Sequence, residues 1–147
     1  MRELYRVMDA NLNRAREGLR VLEEIARFVL EDAGLTARIK DLRHKLAALA
    51  AQVPGGAAGL IGARDPAGDV GAGSWTAEES TRVDLTGLAL ANLKRVQEAA
   101  RVLEEFGKLA GAPAEEFKRI RYQAYGLEQE MMENLPGAVN PTPARKG

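Results

Sequence analysis

The sequence is defined first by what it lacks. It contains no cysteine, which excludes disulfides and thiol chemistry and agrees with a reducing cytoplasm. Aromatic residues make up only 5% of its 147 residues, and the 21 Lys and Arg balance the 21 Asp and Glu. Without net charge, no bulk field attracts nucleic acid or an anionic membrane. The charged amino-terminal segment has no apolar stretch typical of a signal peptide, and no apolar run is long enough to cross a bilayer. We therefore expect a cytoplasmic domain that binds neither nucleic acid nor membrane.

What the sequence does contain is an internal repeat. Residues 10–28 and 91–109 are identical at ten of nineteen positions at a constant offset of 81. A copied core helix needs only its apolar positions, yet this copy also keeps an Asn, two Arg and three Glu. The identical pairs are Ala10/Ala91, Asn11/Asn92, Leu12/Leu93, Arg14/Arg95, Glu17/Glu98, Arg20/Arg101, Val21/Val102, Leu22/Leu103, Glu23/Glu104 and Glu24/Glu105.

A second, shorter helix is repeated as well, at an offset of 78. Apolar residues recur with helical spacing in both copies, and two basic pairs, Lys40/Lys118 and Arg43/Arg121, are identical. Each repeat is therefore predicted to be a helical hairpin, and the two hairpins to form an all-α, four-helix-type bundle with pseudo-twofold symmetry. We expect a single domain over 1–133, with repeat 1 at about 2–52, a glycine-rich loop at 54–75, repeat 2 at about 76–133, and a flexible tail at 134–147.

Local signals predict where the helices begin and end. The first helix is expected to run to about Asp32, with Gly34 as its C′ residue and Thr36 as the cap of the next helix. The capping-box spacing of residues 76–79 predicts that the long second-repeat helix starts there, with a kink near Gly87. Gly111 and Pro113 mark the second hairpin turn.

The repeated polar residues are the main site candidates: Arg14 and Glu17 lie on a helix face away from the Leu12 stripe, and Asn11 lies between the two faces. The symmetry predicts that they line one shared cavity, where Asn and Arg would donate to phosphates or polar ring edges and carboxylates would bind Mg²⁺. Two structural readings remain open beside this one: solvated ion pairs on a helix surface, or a buried polar network that fixes the packing of the repeats. The single histidine, His44, is a minor candidate. The predicted cavity residues are Asn11, Arg14, Glu17, Asn92, Arg95 and Glu98.

The glycine-rich segment is the other candidate, because seven of the fifteen glycines fall there and its periodicity is lost. It has no P-loop string and follows no strand, so neither common nucleotide fingerprint applies. Arg64, Asp65 and Asp69 could order over a ligand as a lid, which we expect to be mobile without ligand. A plain flexible crossover would explain the same composition.

Taken together, four segments resemble one known family: DANLNRAREGLRVLEEIARF, LRHKL, RDPAGDVG and ANLKRVQEAARVLEEFGKL. They are similar to the small helical hydroxymethylpyrimidine phosphate kinase domain of bacterial thiamine biosynthesis, often fused ahead of a thiamine phosphate synthase barrel. The resemblance runs from about Arg2 to Glu130. It implies ATP-dependent phosphorylation of hydroxymethylpyrimidine phosphate to its pyrophosphate, a reaction for which we expect Mg²⁺ as the counterion. Since the sequence ends at Gly147 without a barrel, we expect a stand-alone member or one that works with a separate synthase.

The resemblance carries no secure residue roles, so we assign them from chemistry. Asp65 and Asp69 are the candidate catalytic residues, and Glu17 and Glu98 the candidate Mg²⁺ ligands. The alternative function is a non-catalytic helical module that binds a thiamine intermediate or a partner enzyme, and a homodimer is compatible with either. The candidate substrate-binding residues, for the pyrimidine phosphate and the nucleotide, are Asn11, Arg14, Asn92, Arg95, Arg43, Arg121 and Arg64.

Overall fold

The computed structural model describes residues 1–74, 76 and 81–136, and this part of the chain contains helices and no strand. The all-α prediction is confirmed. The helices are α1 (Arg2–Glu24), which continues into a π-helical turn (Ile25–Val29), α2 (Ala33–Gln52), α3 (Gly56–Gly62), α4 (Leu85–Ala110) and α5 (Ala114–Asn134). None of the described helices is long and apolar enough to span a membrane.

The two long helices, α1 and α4, pack against each other at the centre of a bundle. Helix α2 packs on α1 and α5 packs on α4, as expected for two hairpins. The repeated leucines are buried in equivalent core positions: Leu12 and Leu93 are at most 2% exposed, and Leu22 and Leu103 are fully buried. The apolar stripe of each long helix thus packs both against the other helix of its own hairpin and against the long helix of the other hairpin.

Gly18 sets how closely α1 and α4 approach. A Cβ atom added there would lie 2.9 Å from Val96 Cγ2 and 3.2 Å from the Asn92 carbonyl oxygen. Both distances are shorter than ordinary carbon contacts, so a side chain at this position would push the helices apart. The central seam therefore depends on a residue without a side chain.

The turn between α1 and α2 differs from the predicted one. Glu31, not Gly34, adopts a left-handed conformation (φ 51°), and Asp32 caps α2 by accepting a hydrogen bond from the Leu35 amide at 2.9 Å. The Thr36 hydroxyl donates to the Asp32 carbonyl, and Gly34 lies inside α2. The assignment of Gly34 and Thr36 as caps was wrong because Asp32 offers a carboxylate at the position where an N-cap acceptor is needed.

The glycine-rich segment contains a short helix that the sequence analysis missed. Helix α3 buries Leu60 against the core, and the Tyr5 ring of α1 packs on it so closely that a Cβ at Gly55 or Gly59 would lie 3.8 or 3.7 Å from Tyr5 Cε2. Three of its seven residues are glycine, which lowers helix propensity and hid the element. Packing against α1 stabilises it instead.

The start of α4 and the end of α5 also refine the predicted bounds. Helix α4 begins at Leu85, where Asp84 accepts from the Gly87 amide at 2.7 Å, so Gly87 lies in the first turn and not at a kink. The predicted capping box at 76–79 lies mostly outside the described residues. Gly111 ends α4 at the predicted hairpin turn, where it adopts a left-handed conformation (φ 74°), and Pro113 is the N-cap of α5.

The carboxyl-terminal segment begins as part of the core. Asn134 ends α5, Leu135 is 4% exposed, and the Thr86 hydroxyl of α4 donates to the Pro136 carbonyl. The segment predicted as a tail therefore starts with packed residues. The rest of it, 137–147, lies outside the described residues.

Candidate functional site

Each hairpin contains one ion-pair cluster that joins its two helices, and the two clusters are equivalent in the repeat. In the first, Arg43 of α2 donates from Nε to Glu23 of α1 at 2.9 Å, and Arg20 lies 3.8 Å from the same carboxylate. In the second, the repeat-equivalent Arg121, Glu104 and Arg101 make the same contacts. Both glutamates are only 6% exposed. The identical Arg and Glu residues at these positions thus form buried hairpin clamps, one of the structural readings that the sequence left open.

Electrostatics in the second clamp favour the charged carboxylate. Burial alone would raise the pKa of Glu104, but the hydrogen bonds and positive charge of Arg121 outweigh it and hold that pKa below its ordinary value. The Arg121 guanidinium also donates to the Tyr125 hydroxyl at 3.1 Å, which together with Glu104 raises the pKa of Arg121. Two of the predicted phosphate ligands, Arg43 and Arg121, therefore already hold protein carboxylates.

The repeated asparagines lie at the central seam. The side-chain amides of Asn11 and Asn92 each donate to a carbonyl one turn earlier in their own helix, Val7 and Leu88, both at 2.9 Å. Arg14 approaches the Asn11 amide oxygen at 3.4 Å. These bonds satisfy both amide nitrogens locally, so the structure gives the asparagines a packing role and leaves ligand recognition as a prediction.

The remaining stripe residues are exposed. Arg14, Glu17, Arg95 and Glu98 all face solvent, so within one chain they are surface residues on the central pair of helices. Of the six predicted cavity residues, the two clefts described below contain only Glu17. That all six residues line one shared cavity therefore stays a prediction.

A cationic cleft lies between α1 and α2 in the first repeat. It has a volume of about 310 Å³ and concentrates three guanidinium groups beside one exposed carboxylate. Ligand pockets start at roughly 300 Å³, so the cleft is large enough for a small polar group such as a phosphate chain. The sequence analysis proposed Glu17 and Arg43 as site residues and did not propose the other three. Its lining residues are Asn13, Arg16, Glu17, Arg20 and Arg43.

The loop after α3 is fastened to the same face of α1. Arg64 forms a bidentate ion pair with Asp9, at 2.6 Å from Nε and 2.9 Å from Nη2, and Asp9 is 7% exposed. Asp9 precedes Asn13 by four residues and Arg16 by seven, which places all three on one side of the helix. Arg64 is therefore anchored about 10 Å along the helix from Arg16. The sequence analysis missed Asp9. The signal was present, because Asp9 is acidic where the equivalent residue of the second repeat, Leu90, is apolar.

The two candidate catalytic aspartates shape the loop itself. Asp65 Oδ1 accepts from the Gly68 amide at 3.0 Å, and Asp69 Oδ1 accepts from the Gly71 amide at 2.9 Å. These are Asx-type turns, in which a short carboxylate stabilises a tight change of direction. Each carboxylate keeps a second oxygen beyond its turn, so a role in catalysis remains a prediction.

The chain is similar to a known protein family and to several known proteins. The model of the ThiD2 family matches residues 6–130. The chain belongs to the ThiD2 family. It is 47% identical to thiamine-phosphate synthase of Rhodopirellula baltica over 92% of this chain and 36% of that protein. It is also 47% identical to thiamine-phosphate synthase of a Synechocystis species, over 88% of this chain and 36% of the relative. No solved structure matches the chain significantly.

The match covers only part of those relatives. This ThiD2-family chain spans a little over a third of the length of the curated thiamine-phosphate synthases that it matches. A third relative, from Thermosynechococcus vestitus, shows the same relation, with 97% of this chain aligned to 37% of the synthase at 43% identity. The helical ThiD2 unit is thus one segment of longer proteins among these relatives.

No preformed metal cluster occurs in the described part of this ThiD2-family chain, where no three His, Asp or Glu side chains converge. Glu17 lines the cationic cleft, while Glu98 is exposed in the other repeat, so the structure does not bring the two predicted Mg²⁺ ligands together in one described cleft. Protein sites for Mg²⁺ commonly use one or two carboxylates and take the remaining ligands from water and phosphate oxygens. Glu17 fits that pattern, and its metal role remains a prediction.

A second cleft lies between α2 and α5. Its volume is about 430 Å³, with Leu42 and Leu127 among its lining residues. Two ion pairs cross between the helices: Arg38 to Glu130 at 2.7 Å and Lys45 to Glu116 at 3.1 Å. The hydrogen bond from Arg38 lowers the pKa of Glu130. His44 is exposed on α2. This cleft presents mostly neutralised charges, so we place the candidate site at the α1–α2 cleft.

Proposed function

We propose that the chain is a phosphotransferase of thiamine biosynthesis that converts hydroxymethylpyrimidine phosphate to its pyrophosphate, with ATP as phosphoryl donor and Mg²⁺ as counterion. Membership of the ThiD2 family and similarity to proteins named thiamine-phosphate synthase support the pathway. The observation that carries the reaction type is the α1–α2 cleft, where three arginines stand beside Glu17. Such a site suits bound phosphates better than it suits an uncharged ligand.

The proposed reaction asks for positioning more than for acid–base chemistry. An anionic phosphate oxygen of the substrate attacks the γ-phosphorus of ATP, one P–O bond forms, another breaks, and ADP leaves. Because the attacking oxygen is already deprotonated, no general base is required, and catalysis rests on neutralising charge and holding the groups in line. Arg16 and Arg20 would hold phosphate oxygens, with the Arg43 guanidinium adding positive charge from its clamp with Glu23. Glu17 with Asp65 or Asp69 would hold Mg²⁺, which neutralises charge on the transferred group.

The loop would complete the site from one end. Since Asp9 fixes Arg64 on the face of α1 that continues into the cleft, residues 65–69 follow within a short chain length. Closure of this segment would exclude water from the transfer, as lids do in other phosphoryl-transfer enzymes. The product would then pass to a thiamine phosphate synthase, on the same or another chain.

A direct assay tests the proposal. Purified protein with hydroxymethylpyrimidine phosphate, ATP and Mg²⁺ should release ADP and form the pyrimidine pyrophosphate, and a reaction without the pyrimidine measures background ATP hydrolysis. The second candidate is a non-catalytic module that binds a thiamine intermediate, which the already satisfied contacts of Arg43 and Arg121 favour. Saturable binding of the pyrimidine phosphate without any product would establish that module and refute the kinase.

Two loop variants add a test of the catalytic carboxylates. Asp65→Asn and Asp69→Asn keep an oxygen that can accept from the Gly68 or Gly71 amide, so the turns persist while one charge is lost. We expect turnover to fall at least about tenfold with little change in melting temperature, because exposed loop substitutions usually alter stability by under about 0.5 kcal/mol. Near wild-type turnover in both variants would reduce the loop to a crossover.

A further inference from the structure

We propose that the two repeats have diverged in function: the first repeat holds a single site for a di- or triphosphate chain at the α1–α2 cleft, and the second repeat is a closed structural copy. This inference deepens the proposed kinase function and rests on it for the biological ligand. It adds Arg16 and Arg20 to the site and removes the second repeat from it.

The first repeat has more positive than negative charge at its cleft. Glu23 accepts from Arg43 and lies near Arg20, but Arg16 has no ion-pair partner among the residues that the structure describes. Arg16 and Arg20 are both exposed, and Arg43 is half-buried at the edge of the cleft. Counting the clamp and the cleft together, three arginines face two carboxylates, Glu17 and Glu23. The cleft is left with one excess positive charge.

The equivalent place in the second repeat is filled by a network within the protein. Gln97, which stands where the first repeat has Arg16, is 5% exposed and donates to Glu128 at 2.7 Å. Lys94, the mate of Asn13, contacts the same Glu128 oxygen at 3.1 Å. Glu128 belongs to α5, and its repeat mate in α2 is Ala50. An acid therefore closes the second repeat at a position where the first repeat has a methyl group.

The charge balance of the two places differs accordingly. At the equivalent positions the second repeat has three cations, Lys94, Arg101 and Arg121, and three carboxylates, Glu98, Glu104 and Glu128, of which Glu104 and Glu128 are paired with them. The first repeat lacks the third carboxylate and gains a guanidinium without an ion-pair partner in the described part of the chain. Guanidinium groups donate to phosphate oxygens in fixed pairs, and they do so most strongly where no protein carboxylate competes.

The first-repeat cleft also has a direction that suits a chain of phosphates. Asp9, Asn13, Arg16 and Arg20 recur at i, i+4, i+7 and i+11 along one face of α1, and Asp9 holds Arg64 at the far end. The row from Arg20 to Asp9 covers about 16 Å of helix. A single phosphate would use only part of this row, whereas a di- or triphosphate can contact several of its donors in succession.

Calorimetric titration of the whole chain with inorganic pyrophosphate, tripolyphosphate and ATP, each with and without Mg²⁺, tests this assignment. We expect one ligand per chain. Arg16→Gln, which installs the residue of the second repeat, and Arg20→Gln should each weaken binding about tenfold, the loss of one charged hydrogen bond. The matched control is Arg101→Gln, the repeat mate of Arg20 with similar exposure (55% against 54%), which should change binding by less than about twofold.

A converse variant supplies the missing acid. Ala50→Glu places a carboxylate where Glu128 closes the other repeat, and it should reduce binding below detection while circular dichroism shows an intact bundle. If Ala50→Glu unfolds the chain, the Arg16→Gln result decides. Equal losses for Arg20→Gln and Arg101→Gln, two ligands per chain, or no binding by the folded wild-type protein would each overturn the assignment.

The same samples separate this inference from the kinase proposal. Pyrophosphate binding that depends on Arg16 and Arg20, in a protein without kinase activity, supports the site and refutes the kinase. Kinase activity with unchanged phosphate binding in Arg16→Gln and Arg20→Gln refutes the site and supports the kinase. Tighter binding of ATP than of tripolyphosphate would identify the nucleotide as the source of the phosphate chain, and equal binding would point to the phosphates alone.

Discussion

At the scale of single residues, the repeated polar side chains are explained mainly by the cost of burying charge. Glu23 and Glu104 lie almost wholly inside, and each is held by an arginine from the second helix of its hairpin. A buried carboxylate without its partner is strongly destabilising, so Glu and Arg must be retained together in each repeat. The repeated Glu and Arg residues therefore form two clamps, and the cleft beside the first clamp differs from the second repeat at Asn13 and Arg16.

The second clamp should make the stability of the protein depend on pH. Because Arg121 lowers the pKa of Glu104 below the ordinary value of 4.5, the carboxylate contributes stability above the unfolded-state pKa, and this is lost as pH falls through the lower folded-state pKa. Glu104→Gln should lower the free energy of unfolding by about 1.5–3 kcal/mol at pH 7. The difference from wild type should shrink below about pH 4, where Glu104 becomes protonated in the unfolded chain. Urea denaturation at several pH values measures it.

The neighbouring Glu105 provides the control for that experiment. Its side chain is 44% exposed and pairs with Arg101 and Lys108 at the surface, so Glu105→Gln should change stability by less than about 1 kcal/mol. A Glu104→Gln penalty of the same size at pH 7 and pH 3 would contradict the assignment of this stability to the charged clamp.

At the scale of helices, glycines act in opposite ways according to their surroundings. Gly18 lies in α1 against Val96 and Asn92, whereas a Cβ atom added at Gly126 in α5 would have open space around it, with no described neighbour within 4 Å. Alanine favours a helix over glycine by about 1 kcal/mol in both places. Only at Gly18 does the added methyl meet another helix, so the contact decides the sign.

Alanine substitution at the two glycines therefore gives opposite results. Gly18→Ala should lower the free energy of unfolding by about 1–3 kcal/mol, because the methyl group overpacks the α1–α4 seam. Gly126→Ala should raise it by about 0.5–1 kcal/mol through helix propensity alone. Thermal and urea denaturation of the two variants beside wild type measure both signs. Stabilisation by Gly18→Ala would mean that the seam is looser than described.

At the scale of the whole molecule, the two hairpins are held together by packing and not by the connection between them. Helices α1 and α4 form the central contact, with Ala15, Leu19, Leu93 and Val96 buried there or beside it. The segment between α2 and α4 contributes Leu60 of α3 and the Asp9–Arg64 pair to this packing. The bundle should therefore tolerate a break in the exposed part of the connection.

Cleaving the connection tests that view. A specific protease site inserted at residues 70–73, which are exposed, should be cut without separating the hairpins, because the buried α1–α4 seam is unchanged. The cut protein should elute with the size of the intact 15.9 kDa chain and run as two fragments only after denaturation. Dissociation under native conditions would show that the connection, not the seam, holds the repeats. Size-exclusion chromatography of the uncut protein also reports whether intact chains form the homodimer, which remains a prediction.

Predictability from sequence differed between the fold and the site. Leucines at helical spacing, repeated at offsets of 81 and 78, determined the two hairpins and their equivalence, because an apolar stripe must be buried wherever it occurs. Helix α3 was not predicted because three of its seven residues are glycine and its contact with Tyr5 comes from a distant part of the chain. The left-handed Glu31 and the cap at Asp32 were missed because Gly34 and Thr36 are also residue types that commonly end and begin helices.

By itself the sequence determined an all-helical bundle of two related hairpins and the inventory of arginines, carboxylates and amides available for chemistry. Only the tertiary structure decided which of them are already paired. Arg43 and Arg121 look alike in sequence, yet the cleft beside Arg43 also contains Arg16, which pairs with no carboxylate among the described residues, while the equivalent region beside Arg121 is closed by Glu128 and Gln97. Periodicity follows from neighbours within one helix, but charge compensation depends on side chains brought together from different helices, which no local pattern records.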